Sequence, residues 1–180
     1  MRVPKTGGAV QAVAQALPSP MKLAVGDGFA VVEATPKPGQ WALLHIPLAP
    51  PGPARPLAVG DDPIPFAVVG RDVRWTAGGK VFGQTAGGTP FAIRLSPYSR
   101  GIRFSDLAFR GNTLVLAGEH GVHSESPGRD SVRVIGSGQM GPTMLIVDDD
   151  AVTFAEMGYT LMHKSGLTRA DCCHIWTARR

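Results

Sequence analysis

The sequence predicts an all-β fold of four successive antiparallel meanders of about 40 residues each, and two observations carry that prediction. The first is an internal repeat, in which an apolar run, a tight polar turn and a second apolar run recur four times. The second is composition. With 23 glycines and 16 prolines among 180 residues, these two types exceed one residue in five, which suits many short strands and turns and argues against long helices. A hydrophobic fraction of 43% against 18% charged residues excludes a disordered chain and leaves enough apolar side chain for a buried core.

The four segments are Leu23–Val32, Ala67–Trp75, Leu107–Leu116 and Leu145–Phe154. Each reads as a β-hairpin, because Gly, Asn and Asp tolerate the positive φ that tight hairpin turns need. The turns are expected at Gly26-Asp27, Arg71-Asp72, Gly111-Asn112 and Asp148-Asp149. The anchors Phe29, Val73, Leu114 and Val152 fall 44, 41 and 38 residues apart.

In the last three units a second turn follows, at Ala77–Lys80, Gly118–Gly121 and Glu156–Gly158. A third strand comes next, at Lys80–Phe82, Val122–Ser124 and Thr160–Met162. A fourth, outer strand is expected at Phe91–Leu95, at Ser131–Ile135 and, in the last unit, at His174–Thr177. The first unit is the least regular. Trp41–Ile46 is strand-like, and the Pro-rich Pro47–Pro56 reads as an extended loop.

The hairpin Val69–Trp75 with Gly78–Phe82 resembles the V-x-x-D-V-x-W/F and G-G-x-V-F pattern of bacterial β-propeller repeats. The repeat step of roughly 40 residues is the length of one four-stranded blade. The resemblance runs from Pro20 to Gly166 and implies a propeller-like architecture without the WD-type signature. It implies no particular activity. A β-trefoil, with the first unit as an extension, or an antiparallel β-sandwich accounts for the same strands, and both stay open.

Residues 1–19 read as an N-terminal extension and residues 20–180 as a single β-repeat domain. In the extension, Val10, Val13, Ala14 and Leu17 have the i, i+3, i+4, i+7 spacing of a short amphipathic helix. The apolar stretch there is interrupted by Gln11 and Gln15, a poor signal-peptide core, and no run approaches transmembrane length. The only cysteines, Cys172 and Cys173, are adjacent, so no disulfide framework is expected. Cytoplasmic or virion-associated surroundings are therefore the expectation. The formal charge of +4 is scattered along the chain, which permits an anionic partner but marks no nucleic-acid module.

Candidate chemistry gives way to structural readings. Gly136–Gly141 is a literal G-x-G-x-x-G, but Pro142 and a short apolar run follow it where dinucleotide binding needs a helix. Asp148-Asp149-Asp150 occupies a hairpin-turn position, and calcium loops space their ligands at alternate positions. No pair among His45, His120, His123, His163 and His174 has a metal-protease spacing, and Cys172-Cys173-His174 lacks the gap that lets two thiolates chelate zinc. His120 and His123 read as a surface pair beside a turn. Trp41 and Trp75 read as packing residues. No nucleophile elbow exists, although a triad assembled from distant residues is compatible with the sequence. No catalytic residue, cofactor or metal is therefore assigned.

The remaining candidate is a ligand surface. Arg94, Tyr98, Arg100 and Arg103 combine charge with an aromatic ring between two units. In a propeller the second-to-third strand turns and the connections between blades share one face. That face would gather Lys80, Tyr98, Arg100, Arg103, Glu119, His120, Gln139 and Glu156 around a small anionic or sugar ligand. The function expected is a non-enzymatic binding or scaffolding module in a larger assembly, with a protein partner or a second copy. The alternatives are a hydrolase or lyase with its site in a central channel, and a structural protein of a virion or secretion particle. One terminus is expected to dock on the other end of the array, with Ile175 and Trp176 in that joint, or an edge to pair with a second subunit.

Overall fold

The computed structural model describes residues 17–119, 121–136, 143–147, 151–156 and 174–179. They form fifteen strands and one short 3-10 turn, Pro97–Ser99. The first sheet holds β1 (Pro20–Val25), β2 (Phe29–Lys37), β3 (Gln40–Pro47) and β4 (Arg55–Gly60) in that order. The second holds β5 (Phe66–Val69), β6 (Asp72–Ala77), β7 (Lys80–Thr85) and β8 (Phe91–Ile93). The third holds β9 (Phe104–Arg110), β10 (Thr113–Gly118), β11 (Gly121–Glu125) and β12 (Val132–Gly136). The last holds β13 (Thr143–Val147), β14 (Ala151–Glu156) and β15 (His174–Arg179). The fold is all-β, and its four antiparallel sheets are each made of consecutive strands. Four sheets are not the two of a sandwich.

The chain divides into two compact units. One is Met1–Ile64 with Val68–Val73 and Gln84–Pro90; the other is Pro65–Ala67 with Arg74–Gly83 and Phe91–Arg180. Residues of the second sheet are shared between them.

In the second unit, β10 runs through the middle of the core, and its alternation serves both faces. Leu114 and Leu116 pack with Leu107, Phe109 and Val81. Val115 and Ala117 pack with Val122 and Val152. All four of these β10 side chains are fully buried. A buried carboxylate ties the third sheet to the last. Asp106 on β9 accepts from the backbone N–H of Leu107 at 2.9 Å and of Leu145 on β13 at 2.7 Å. Arg74 donates to the Gly111 carbonyl at 2.7 Å and lies 4.2 Å over the Phe109 ring. Trp75 is buried and stacks on Phe82, as its packing role required.

In the first unit, β2 is the best-buried strand, from Phe29 to Ala34. Its one charged member within that run, Glu33, accepts from the Ile64 N–H at 2.8 Å, which satisfies a carboxylate that would otherwise be costly to bury. Phe29 stacks on His45 at 5.0 Å between ring centroids.

Several local expectations are corrected. The second hairpin turn is Gly70-Arg71, one residue earlier than expected, because Gly70 takes the positive φ of 57°. The first loop has three residues, Gly26–Gly28, with Gly28 at φ 83° closing it. The Gly111-Asn112 turn falls where expected, and Asp148–Asp150 lie outside the described residues.

Pro47–Pro56 is not an extended loop. Leu48 bridges to Pro51, the Gly52 N–H reaches the Pro47 carbonyl, and a fourth strand begins at Arg55. Pro56 is admitted because β4 is an edge strand, where a missing N–H is not needed by a neighbour. In the last sheet, β15 pairs directly with β14 and so takes the third place, not the fourth. Thr160–Met162 lie outside the described residues, as does the expected helix over Val10, Val13 and Ala14.

Candidate functional site

The most concentrated polar chemistry among the described residues is buried in the third sheet and the connection leading to it. On β11, His123 and Glu125 are two residues apart and therefore on one face. The 3-10 turn that Pro97 begins puts Ser96 and Ser99 one turn apart, facing them. The Ser99 hydroxyl donates to Glu125 Oε2 at 2.6 Å, and Ser96 donates to the same oxygen at 2.8 Å. Ser99 Oγ lies 2.8 Å from His123 Nε2. Tyr98 meets the His123 ring edge-on at 5.3 Å.

The proton inventory decides what this cluster can do. A serine hydroxyl has one proton, and the 2.6 Å contact to a carboxylate is the short, charge-assisted one. With that proton directed at Glu125, Ser99 Oγ accepts from His123 Nε2–H. The histidine is then a donor to the serine, opposite to the polarity by which a general base activates a nucleophile. Ser96 and Ser99 are 1% and 0% exposed, so no substrate reaches either oxygen in this conformation. The arrangement pins residues 96–99 to β11. The expectation that His123 belongs to a surface pair is thus overturned: it is 2% exposed, because strand alternation turns it inward with Glu125. His120 lies outside the described residues.

Of the expected ligand-surface residues, Lys80, Tyr98, Arg100, Arg103 and Glu119 are exposed. Close backbone approaches place four of them on neighbouring loops. At Gly79, a Cβ would sit 3.7 Å from Gly101 Cα, and at Gly118 it would sit 2.7 Å from the Arg103 carbonyl oxygen. The turn before Lys80 and the turn that carries Glu119 therefore both abut the connection Arg100–Arg103. Tyr98 lies a few residues earlier, over His123. His120 and Gln139 lie outside the described residues, and Glu156 is described only as the last residue of β14.

A shallow cavity of about 200 Å³ opens on the third sheet beside β12, with Glu125 of the buried cluster in its lining. Hydroxyls of Thr113, Ser124, Ser126 and Ser131 line it with Arg129 and Arg133. None of its residues is among those expected from sequence. Strand alternation alone could have paired Ser124 with Arg133, which sit opposite each other in the ladder.

On the first sheet, His45 is a titratable group with a clear environmental shift. Burial lowers its pKa below the ordinary 6.5, and the Arg55 charge adds to the lowering, while its own backbone hydrogen bond works the other way. Arg55 is its cross-strand partner on β4.

No protein-family model matches this sequence. No curated protein matches it either. Two solved structures share its fold. A computationally designed protein, Ika8, aligns at a TM-score of 0.57 and 17% identity over 87% of this chain and 45% of its own. A chain from the S. cerevisiae complex of Dbp5 bound to Nup159, Gle1, IP6 and ADP aligns at a TM-score of 0.53 and 8% identity, over 89% of this chain and 44% of its own. This chain therefore spans less than half the length of either, and what it is similar to in them is the all-β fold alone.

Proposed function

We propose that this chain is a propeller-like array of four blades that acts as a non-enzymatic binding or scaffolding module within a larger assembly. One observation carries the reading: the face of the first sheet that bears Leu23 and Val25. By cross-strand register, Leu23 stands opposite Val32, Val32 opposite Leu44, and Ala42 opposite Val59. Directly opposed residues share a face, so all four strands contribute to it. No charged side chain falls on it from Ala30 to Ala34 or from Ala42 to Ile46. Its margins are open, with Leu23 63%, Val25 64% and Val59 56% exposed. An apolar face of this kind marks a surface meant for contact.

The blade reading is supported by four successive antiparallel sheets, each made of consecutive strands. The non-enzymatic reading is supported by the buried serines and their proton polarity. Fluorophosphonate labelling tests it, with a panel of model ester, phosphoester and polysaccharide substrates alongside. The expected result is no adduct and no turnover. An adduct on Ser96 or Ser99, or turnover abolished by Ser99→Ala in a variant that stays folded, overturns the reading in favour of a hydrolase.

A further inference from the structure

We infer that a second copy of this chain covers the apolar face of the first sheet, an inference that rests on the assembly reading above and names its partner. The middle of the face is already closed. Ala30, Val32 and Ala34 are 5%, 3% and 0% exposed, and Leu17 packs against them. What stays open is the β1 margin, where Leu23 and Val25 join Met21, itself 64% exposed, on a strand at the sheet edge. Pro20 and Lys22 blunt only the start of this edge strand, and no charge or proline follows from Leu23 to Val25. Edge strands that face water for good are usually blunted by charges, proline or a covering segment, and three apolar side chains above 60% exposure are the opposite of blunting.

A second copy is the occupant that the remaining observations favour. The designed protein and the chain from the yeast complex are each more than twice the length that this chain aligns to. The fold thus accommodates about as much chain again, and a second copy supplies that length with the same pattern of sheets. The occupant must also present an uncharged surface, since apposing a charge to Leu23 or Val25 would leave it desolvated without a partner. The last sheet offers such a side chain in Ile146, 60% exposed on β13. Burial of the β1 margin against a second copy removes apolar area from water at both partners, which is the main driving force of such association.

Sedimentation velocity of the full chain tests this. The wild type is expected to sediment at twice 18.9 kDa, and Leu23→Asp to weaken the dimer at least tenfold, which is about 1.4 kcal/mol. Val69→Asp, at another exposed apolar position, is expected to leave the dimer intact. A wild type that stays monomeric up to about 100 µM overturns the inference, and so does a dimer indifferent to Leu23→Asp or equally sensitive to Val69→Asp. If Leu23→Asp fails to fold, Leu23→Ser and the concentration dependence of amide exchange in Pro20–Val25 decide the matter. Exchange that slows as concentration rises supports the second copy, and exchange that does not change overturns it. A monomer that takes no fluorophosphonate defeats only this inference. A dimer that is labelled on Ser99 defeats only the non-enzymatic reading.

Discussion

The first and third sheets begin from the same sequence pattern and end in different environments. Leu23–Val32 and Leu107–Leu116 are both apolar hairpins around a glycine turn. In the third sheet the leading strand β9 is buried, with Leu107 at 2% and Phe109 at 4% exposure, whereas in the first sheet Leu23 and Val25 on β1 exceed 60%. The second strands, β2 and β10, are buried alike. The hairpin sequence therefore sets which residues alternate, while burial of the leading strand depends on whether something packs on each of its faces. β9 has β13 tied to it through Asp106 and Leu145. No comparable tie reaches Leu23 or Val25 among the described residues.

Truncation should expose that difference most strongly. Leu116→Ala removes a fully buried side chain and is expected to cost about 2–5 kcal/mol. Leu23→Ala in the isolated chain should cost less than about 0.5 kcal/mol. Urea unfolding of both variants at low protein concentration measures this, and equal losses would erase the distinction between the two sheets.

The polar network gives the next effect. Ser99→Ala withdraws the shortest donor from the buried Glu125 carboxylate and is expected to cost about 1–3 kcal/mol. The control is Thr85→Ala, which removes a hydroxyl–carboxylate bond of the same 2.6 Å length to Asp72 at an exposed position. Water replaces that donor, so the change should stay within about 0.5 kcal/mol. The contrast, read from denaturation midpoints, tests whether burial and not bond length sets the value of these contacts.

Gly118→Ala should fall in a similar range, about 1–3 kcal/mol. The added Cβ would meet the Arg103 carbonyl oxygen at 2.7 Å, and backbone cannot rotate away as a side-chain tip can. A variant with unchanged melting temperature would show that the connection Arg100–Arg103 can shift.

The smallest effect concerns His45 on the first sheet. Its folded pKa lies below 6.5, so the unfolded chain takes up a proton more readily than the folded one. The contribution is present in full above pH 6.5 and is lost progressively as pH falls from there toward the folded pKa. Urea midpoints at pH 7.5 and 5.5 (about one unit either side) should fall further for the wild type than for His45→Phe. A wild type with the smaller drop would reverse the sign argued here.

Much of the candidate site was out of reach of sequence, for a reason visible in its residues. Tyr98, Arg100 and Arg103 stand out locally because charge and an aromatic ring lie close together in one connection. Ser96, Ser99, His123 and Glu125 carry no such mark. Serines spaced i, i+3 and a His-x-Glu strand pair are common, and only contact across 24 to 29 residues makes them a cluster.

What the sequence determined by itself is the meander: the hairpins, built from apolar runs around tight turns, and their roughly 40-residue step. These rest on interactions within about ten residues, where glycine turns and strand periodicity act directly. Even there, φ at one glycine moved a turn by a residue. Tertiary structure alone decided that β15 stands next to β14, that His123 turns inward, and that Asp106 ties β9 to a residue 39 positions away. Those outcomes depend on which segments meet after loop closure, and burial changes the worth of a polar contact only once they have met.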